Sequence, residues 1–110
     1  MKADLFRLDG KVVAVIGAGS GIGEAVAMGV AMQGGRTICC DLTHDTAEAT
    51  ATAIRAAGGA ATSVVVDITD EAGVTAALDG MATTYGHLDG LVCTPAINVR
   101  KPVLKYSGAE

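Results

Sequence analysis

Three features of this 110-residue chain have the residue types and spacing for chemistry: glycines at 17, 21 and 23 behind an apolar run, an aspartate at 41 and an aspartate at 67. Val12-Val13-Ala14-Val15-Ile16 reads as a short buried strand, and Gly17-Ala18-Gly19-Ser20-Gly21-Ile22-Gly23 as the turn from it into a helix. Gly17 can take a backbone angle that a side chain disfavours, so the chain can leave the strand sharply. Gly21 leaves its backbone open to a phosphate, and Gly23 lets the helix pack close to the strand. The helix start then offers unpaired N–H groups and a partial positive charge. The stretch Gly17, Ser20, Gly21, Ile22 and Gly23 therefore suits a diphosphate and its neighbouring ribose, with the Ser20 hydroxyl adding a hydrogen bond. The alternative is a glycine loop that only shapes the turn.

The spacing is G-x-x-x-G-x-G. The pattern G-x-G-x-x-G does not fit, because it needs glycine at Ile22, or glycine or alanine at Glu24; a P-loop fails for want of Gly-Lys-Ser/Thr. Asp41 closes a second apolar run, Thr37-Ile38-Cys39-Cys40, roughly twenty residues past the loop, where a carboxylate can accept from both hydroxyls of a ribose. Asp67 closes a third run, Ser63-Val64-Val65-Val66, and with the backbone of Ile68 suits the edge of an adenine. Each aspartate has a structural alternative: Asp41 as a residue leading into a helix, Asp67 as a helix cap or turn.

These residues need elements to position them. The pattern predicts strands over 11–16, 37–40, 63–66 and 88–93, and helices over 21–33 and 45–57, with a third starting at a Thr69 cap and ending at Gly86. Ile22, Val26, Gly29 and Val30 form the expected inner stripe of the first helix, and Ala47, Ala51 and Ile54 that of the second. Continuous apolar strands alternating with helices imply a parallel sheet buried on both faces. The fold expected is α/β, a doubly wound, Rossmann-like parallel sheet, incomplete, with four strands and three helices. The third and second strands should lie on one side of the first and the fourth on the other, which puts a cleft beside Gly17. Residues 1–93 read as a dinucleotide-binding part. Residues 94–110 read as a proline-broken loop and the start of a helix, since Ser107-Gly108-Ala109-Glu110 is a capping box. That start signal leads to the expectation that a longer protein is cut here; the alternative is a polar tail.

Half the residues are apolar, aromatics are few and the net charge is −4. With no basic run, nucleic acid is not an expected partner. Three cysteines, an odd number, argue against a disulfide framework. All three are expected to be buried, Cys39 and Cys40 on opposite faces of one strand. No C-x-x-C or His pair accompanies them, so no metal site is expected, and His44 and His87 are expected to be solvated. The chain shows no signal-peptide h-region and no run of membrane-spanning length, so a soluble, cytoplasmic protein is expected.

Gly17, Gly21 and Gly23, with Asp41, Asp67 and Leu88-Asp89-Gly90-Leu91-Val92, resemble the short-chain dehydrogenase/reductase family in order and spacing over essentially the whole chain. The resemblance implies a nicotinamide cofactor and hydride transfer to or from an alcohol or carbonyl substrate. It also implies that the substrate loops and a catalytic Ser and Tyr-x-x-x-Lys come in later segments. Tyr106 is followed four positions on by Glu110, not Lys, so no catalytic residue is assigned and this chain alone is expected to be inactive.

Family members that use NADP usually carry a basic residue at the positions of Ser20 or Leu42, and both are neutral here, so NAD is the cofactor expected. Two positions depart from the family pattern. Ile16 stands where a Thr usually precedes the first glycine, which leaves the turn to be held by packing. Cys93-Thr94-Pro95-Ala96 stands in place of Asn-Asn-Ala-Gly, which removes amide side chains and a backbone donor near the nicotinamide ribose. The leading reading is thus the NAD-binding part of an oxidoreductase. It is expected to form a homo-oligomer or to meet a chain that completes its sheet. The alternatives are a non-catalytic nucleotide-binding or interaction module, and a Rossmann-like enzyme using adenosylmethionine or flavin.

Overall fold

The computed structural model describes residues 3–95. A short 3-10 turn, Ala3–Phe6, precedes β1 (Val12–Ile16), α1 (Gly21–Met32), β2 (Arg36–Asp41), α2 (His44–Ala56), β3 (Ala60–Val65), α3 (Glu71–Tyr85) and β4 (Gly90–Cys93). The four strands form one parallel sheet in the order β3-β2-β1-β4, the arrangement expected from the sequence. Every crossover between parallel strands needs a helix, and the alternation of the chain supplies one each time.

The helices cover both faces. Val13, Val15 and Cys39 point to one side and pack with Ala27 of α1 and with Ala51 and Ile54 of α2. Val12, Ala14, Ile16, Ile38 and Cys40 point to the other and pack with Met81 of α3. Adjacent Cys39 and Cys40 therefore lie on opposite faces, as strand periodicity requires. With so few aromatics, the core is built from branched and small side chains, which lets the helices approach the sheet closely.

Several expectations need correction. Ile22 does not face the sheet: it is 76% exposed, and the buried positions of α1 are Gly23 and Ala27. Gly23 in the same turn packs against the Gly17 carbonyl instead, so the buried positions fall one residue later. β3 starts at Ala60 rather than Ser63, because Gly58, at φ +90°, turns the chain directly into register with β2. Continuous burial holds for β1 and for Thr37 to Cys40 of β2. β3 and β4, at the sheet edges, are only partly covered, and Cys93 is exposed rather than buried.

The cap of α3 is Asp70, whose carboxylate accepts from Gly73 N at 3.1 Å; Thr69 instead bonds to Asp67. β4 begins at Gly90 rather than Leu88, although Asp89 N already donates to the Val12 carbonyl oxygen at 2.8 Å. His87 Nε2 lies 3.0 Å from both the Gly10 carbonyl oxygen and Asp89 Oδ2, and Asp89 Oδ2 accepts from Val12 N at 2.8 Å. The expected loop and helix start over 96–110, with Tyr106, lie outside the described residues.

Candidate functional site

Sheet register decides what meets what. Ile16 pairs with Cys40 on one side and Cys93 on the other, so the turn after β1 emerges beside Asp41 and Thr94. Asp41 in turn pairs with Val65, and its carbonyl accepts from Val66 N at 2.9 Å, which brings the Asp67 turn to the same edge. Ligands of open parallel sheets bind along this C-terminal edge, where the strand order reverses. Here the reversal falls between β1 and β4.

The glycine turn is held tightly. Gly17 N and Ala18 N both donate to the Cys40 carbonyl, at 2.8 and 3.0 Å. Ile16 is buried in the core and brings no hydroxyl to the turn. Hydroxyls come instead from elsewhere in the chain: Thr50 on α2 donates to the Ala18 carbonyl at 2.9 Å, and Thr94 donates to the Ile16 carbonyl at 3.1 Å. Packing alone, the expectation from the sequence, is thus supplemented by hydrogen bonds from two threonines that the motif did not include. Thr94 also shows what replaces the amide side chains at the end of β4: its backbone N–H and its hydroxyl both close onto Ile16.

The glycines differ in what they require. Gly17 has φ +89°, and a Cβ there would overlap the Thr94 hydroxyl. A Cβ on Gly23 would run into the Gly17 carbonyl, so the start of α1 sits against the turn itself. Gly21 has φ +58° and open space on the side where a Cβ would project. Gly19, outside the motif as read from the sequence, is enclosed: a Cβ would overlap Asp41 Oδ2 and press on Thr46. Ser20 caps α1 with extended backbone, and its side chain makes no capping bond.

Two clefts adjoin this turn. One, of about 330 Å³, is lined by Ile16, Gly17, Asp41, Leu42, Asp67 and Ile68 among others. The second, of about 310 Å³, is lined by Gly17, Ser20, Ile22, Asp41, Thr94 and Pro95. Gly17 and Asp41 border both. Ile22, Leu42 and Ile68 are large apolar side chains left 76%, 62% and 45% exposed around these openings, the kind of surface a planar or apolar ligand group would cover.

Neither lining includes a Lys or Arg. Asp41 Oδ1 accepts from Leu42 N at 2.9 Å. Asp67 Oδ1 accepts from Thr69 N at 2.9 Å and from the Thr69 hydroxyl at 2.7 Å, and these bonds hold its carboxyl below the usual carboxylate range. That geometry is a turn aspartate's, and Oδ2 takes no bond among the described residues.

The glycine turn, Asp41 with Leu42, and Asp67 with Ile68 thus gather at one edge of the sheet. The chain matches the short chain dehydrogenase family over residues 11–110. It belongs to that family. It is 45% identical over 102 residues to a D-threitol dehydrogenase of Mycolicibacterium smegmatis, an alignment covering 93% of this chain and 39% of that protein. Its fold superposes on a hydroxysteroid dehydrogenase from Escherichia coli with a TM-score of 0.87 at 32% identity, covering 98% of this chain and 46% of the other. It is also similar to a 7α-hydroxysteroid dehydrogenase complexed with NADH and 7-oxo glycochenodeoxycholic acid, with a TM-score of 0.79 at 34% identity, covering 83% and 36%. The chain spans less than half the length of each. Like its relatives it belongs to an oxidoreductase family, and among its described residues no helix is long and apolar enough to cross a membrane.

Proposed function

We propose that this chain binds NAD along the C-terminal edge of its sheet and forms the cofactor-holding part of an oxidoreductase acting on a small alcohol or carbonyl compound. The residues suit that group. Backbone N–H groups at Gly21, Ile22 and Gly23 and the Ser20 hydroxyl would hold the diphosphate side, Asp41 and the Leu42 backbone the adenosine ribose, and Asp67 with Ile68 the adenine. The cofactor, once bound, supplies the hydride chemistry. The chain's part is to grip and orient it, and no Tyr-x-x-x-Lys occurs in these 110 residues. Residues 1–93 would be the dinucleotide-binding part and 94–110 a loop and the start of a helix. The β4 edge would be covered by further chain or a second copy.

The observation that carries the choice of NAD is Asp41, which borders both clefts while no cation lines either. A 2′-phosphate placed there faces a carboxylate. At contact distance and an effective dielectric of about 20, that repulsion is about 4 kcal/mol before screening. Arg36 gives no relief, since it stands at the other end of β2, about 16 Å away at the rise of a strand. The direct test of the site is Gly21→Val. Its side chain would fill the open space beside the helix start and strain the backbone at φ +58°, so thermal melts accompany the titration, and NAD affinity should fall by more than about tenfold in a variant that keeps its fold. Unchanged affinity in a folded variant sinks the assignment.

A further inference from the structure

Gly19 is the residue whose surroundings the turn motif does not explain. Its backbone angle is not one that needs glycine; its space is. The carboxylate of Asp41 and the side chain of Thr46, in the first turn of α2, both crowd the place a Cβ would take. Thr46 is itself held, its hydroxyl 2.8 Å from the Thr43 hydroxyl and 3.1 Å from the Thr43 carbonyl oxygen. Asp41 Oδ1 is tied to Leu42 N. The carboxylate is therefore fixed at one oxygen by its own turn, and its other oxygen rests in the hollow left by the missing side chain.

We propose that Gly19 is a positioning residue for cofactor selection: by having no side chain it lets the Asp41 carboxylate lie against the glycine turn, where it meets the cofactor's ribose. This rests on the proposed NAD reading. A methyl at position 19 would meet two groups: the Asp41 carboxylate, the far end of a short flexible side chain that can rotate aside, and Thr46 Cβ, which is tied to the start of α2 and yields only if that turn shifts. Gly19→Ala should therefore move the carboxylate and press on the first turn of α2, while the sheet keeps its register. A displaced carboxylate neither accepts from the ribose hydroxyls nor repels a 2′-phosphate at contact distance.

The test is titration of NAD and NADP against the full protein chain and its Gly19→Ala, Asp41→Ala and doubly substituted variants, with thermal melts of each. Gly19→Ala should weaken NAD about tenfold, the loss of a hydrogen bond to a charged group, and leave NADP level or improved. In the Asp41→Ala background the same substitution should leave the ratio of the two affinities unchanged. Equal loss of both cofactors marks a general disturbance of the turn and overturns the inference, as does a preference for NAD that Gly19→Ala leaves intact. Equal affinity for the two cofactors in the unmodified chain overturns the NAD reading, and this inference with it. Should Gly19→Ala fail to fold, Gly19→Ala combined with Thr46→Gly decides, since it leaves only the carboxylate for the new methyl to displace. A folded variant with NAD weakened and NADP level supports the contact, and one that stays unfolded or keeps its preference for NAD overturns it.

Discussion

Thr50 donates its hydroxyl proton to the carbonyl oxygen of Ala18 at 2.9 Å, and both residues are shut off from solvent. A helix distant in sequence thus holds the middle of the glycine turn through one buried bond. Thr50→Val keeps the shape and leaves the Ala18 carbonyl without this donor. Stability should fall by about 1–3 kcal/mol, the cost of an unsatisfied buried polar group, while Thr50→Ser, which keeps the hydroxyl, should lose less. Urea denaturation of both variants measures it. Equal stability of Thr50→Val and the unmodified chain would show that the bond does not hold the turn.

Asp67 does two jobs in this reading, and they separate by substitution. Its Oδ1 closes the turn through Thr69, and the same bonds hold its carboxyl below the ordinary carboxylate value. A carboxylate lowered in this way contributes stability above its unfolded pKa, and loses that contribution as pH falls through its folded one. Asp67→Ala should therefore lower the melting temperature at neutral pH and narrow its gap from the unmodified chain in acid. It should also weaken adenosine-containing ligands. Loss of stability with normal NAD affinity would leave Asp67 a turn residue only.

The architecture was legible because its signals are local and repeated. Valine-rich runs separated by helical spacing and stopped at Gly34-Gly35, Gly58-Gly59 and Gly86 dictate parallel strands with crossovers, and the order β3-β2-β1-β4 follows from them. Asp41 and Asp67 were legible as site candidates because each follows an apolar run: Asp41 ends β2, and Asp67 stands two residues past the end of β3. What stayed hidden depends on partners remote in sequence. Thr50 reads as one more threonine in an Ala- and Thr-rich helix, and only the α2–turn contact gives it a role. Gly19 fell outside the motif because its need for glycine comes from Asp41 and Thr46, not from its own backbone. Ile22 was misplaced because helical periodicity does not fix which stripe faces the sheet, and the small residues Gly23 and Ala27 take the buried side. Cys93 was misplaced because an apolar run reads alike in a central strand and at an edge.

The cysteines provide a check on the fold that needs no ligand. Burial pushes the Cys39 thiol up to about 11 and the Cys40 thiol up to about 12, while Cys93 is exposed. Thiolates, not thiols, react with disulfide reagents. In the native chain at pH 8, one thiol should be labelled quickly and the other two only after denaturant is added. Rapid labelling of all three in the native chain would contradict the placement of β2 between the two helical layers.

The claim at the centre is that Asp41 selects NAD over NADP. The measurement is the dissociation constant of each cofactor for the unmodified protein and for Asp41→Ala, at one fixed low ionic strength, since exposed charges are screened by salt. NAD should bind the unmodified protein at least about a hundredfold more tightly than NADP, a conservative share of the repulsion expected at contact distance. Asp41→Ala should narrow that gap from both sides, weakening NAD and strengthening NADP. Equal affinity of the unmodified protein for the two cofactors, or a preference that survives Asp41→Ala unchanged, would contradict it.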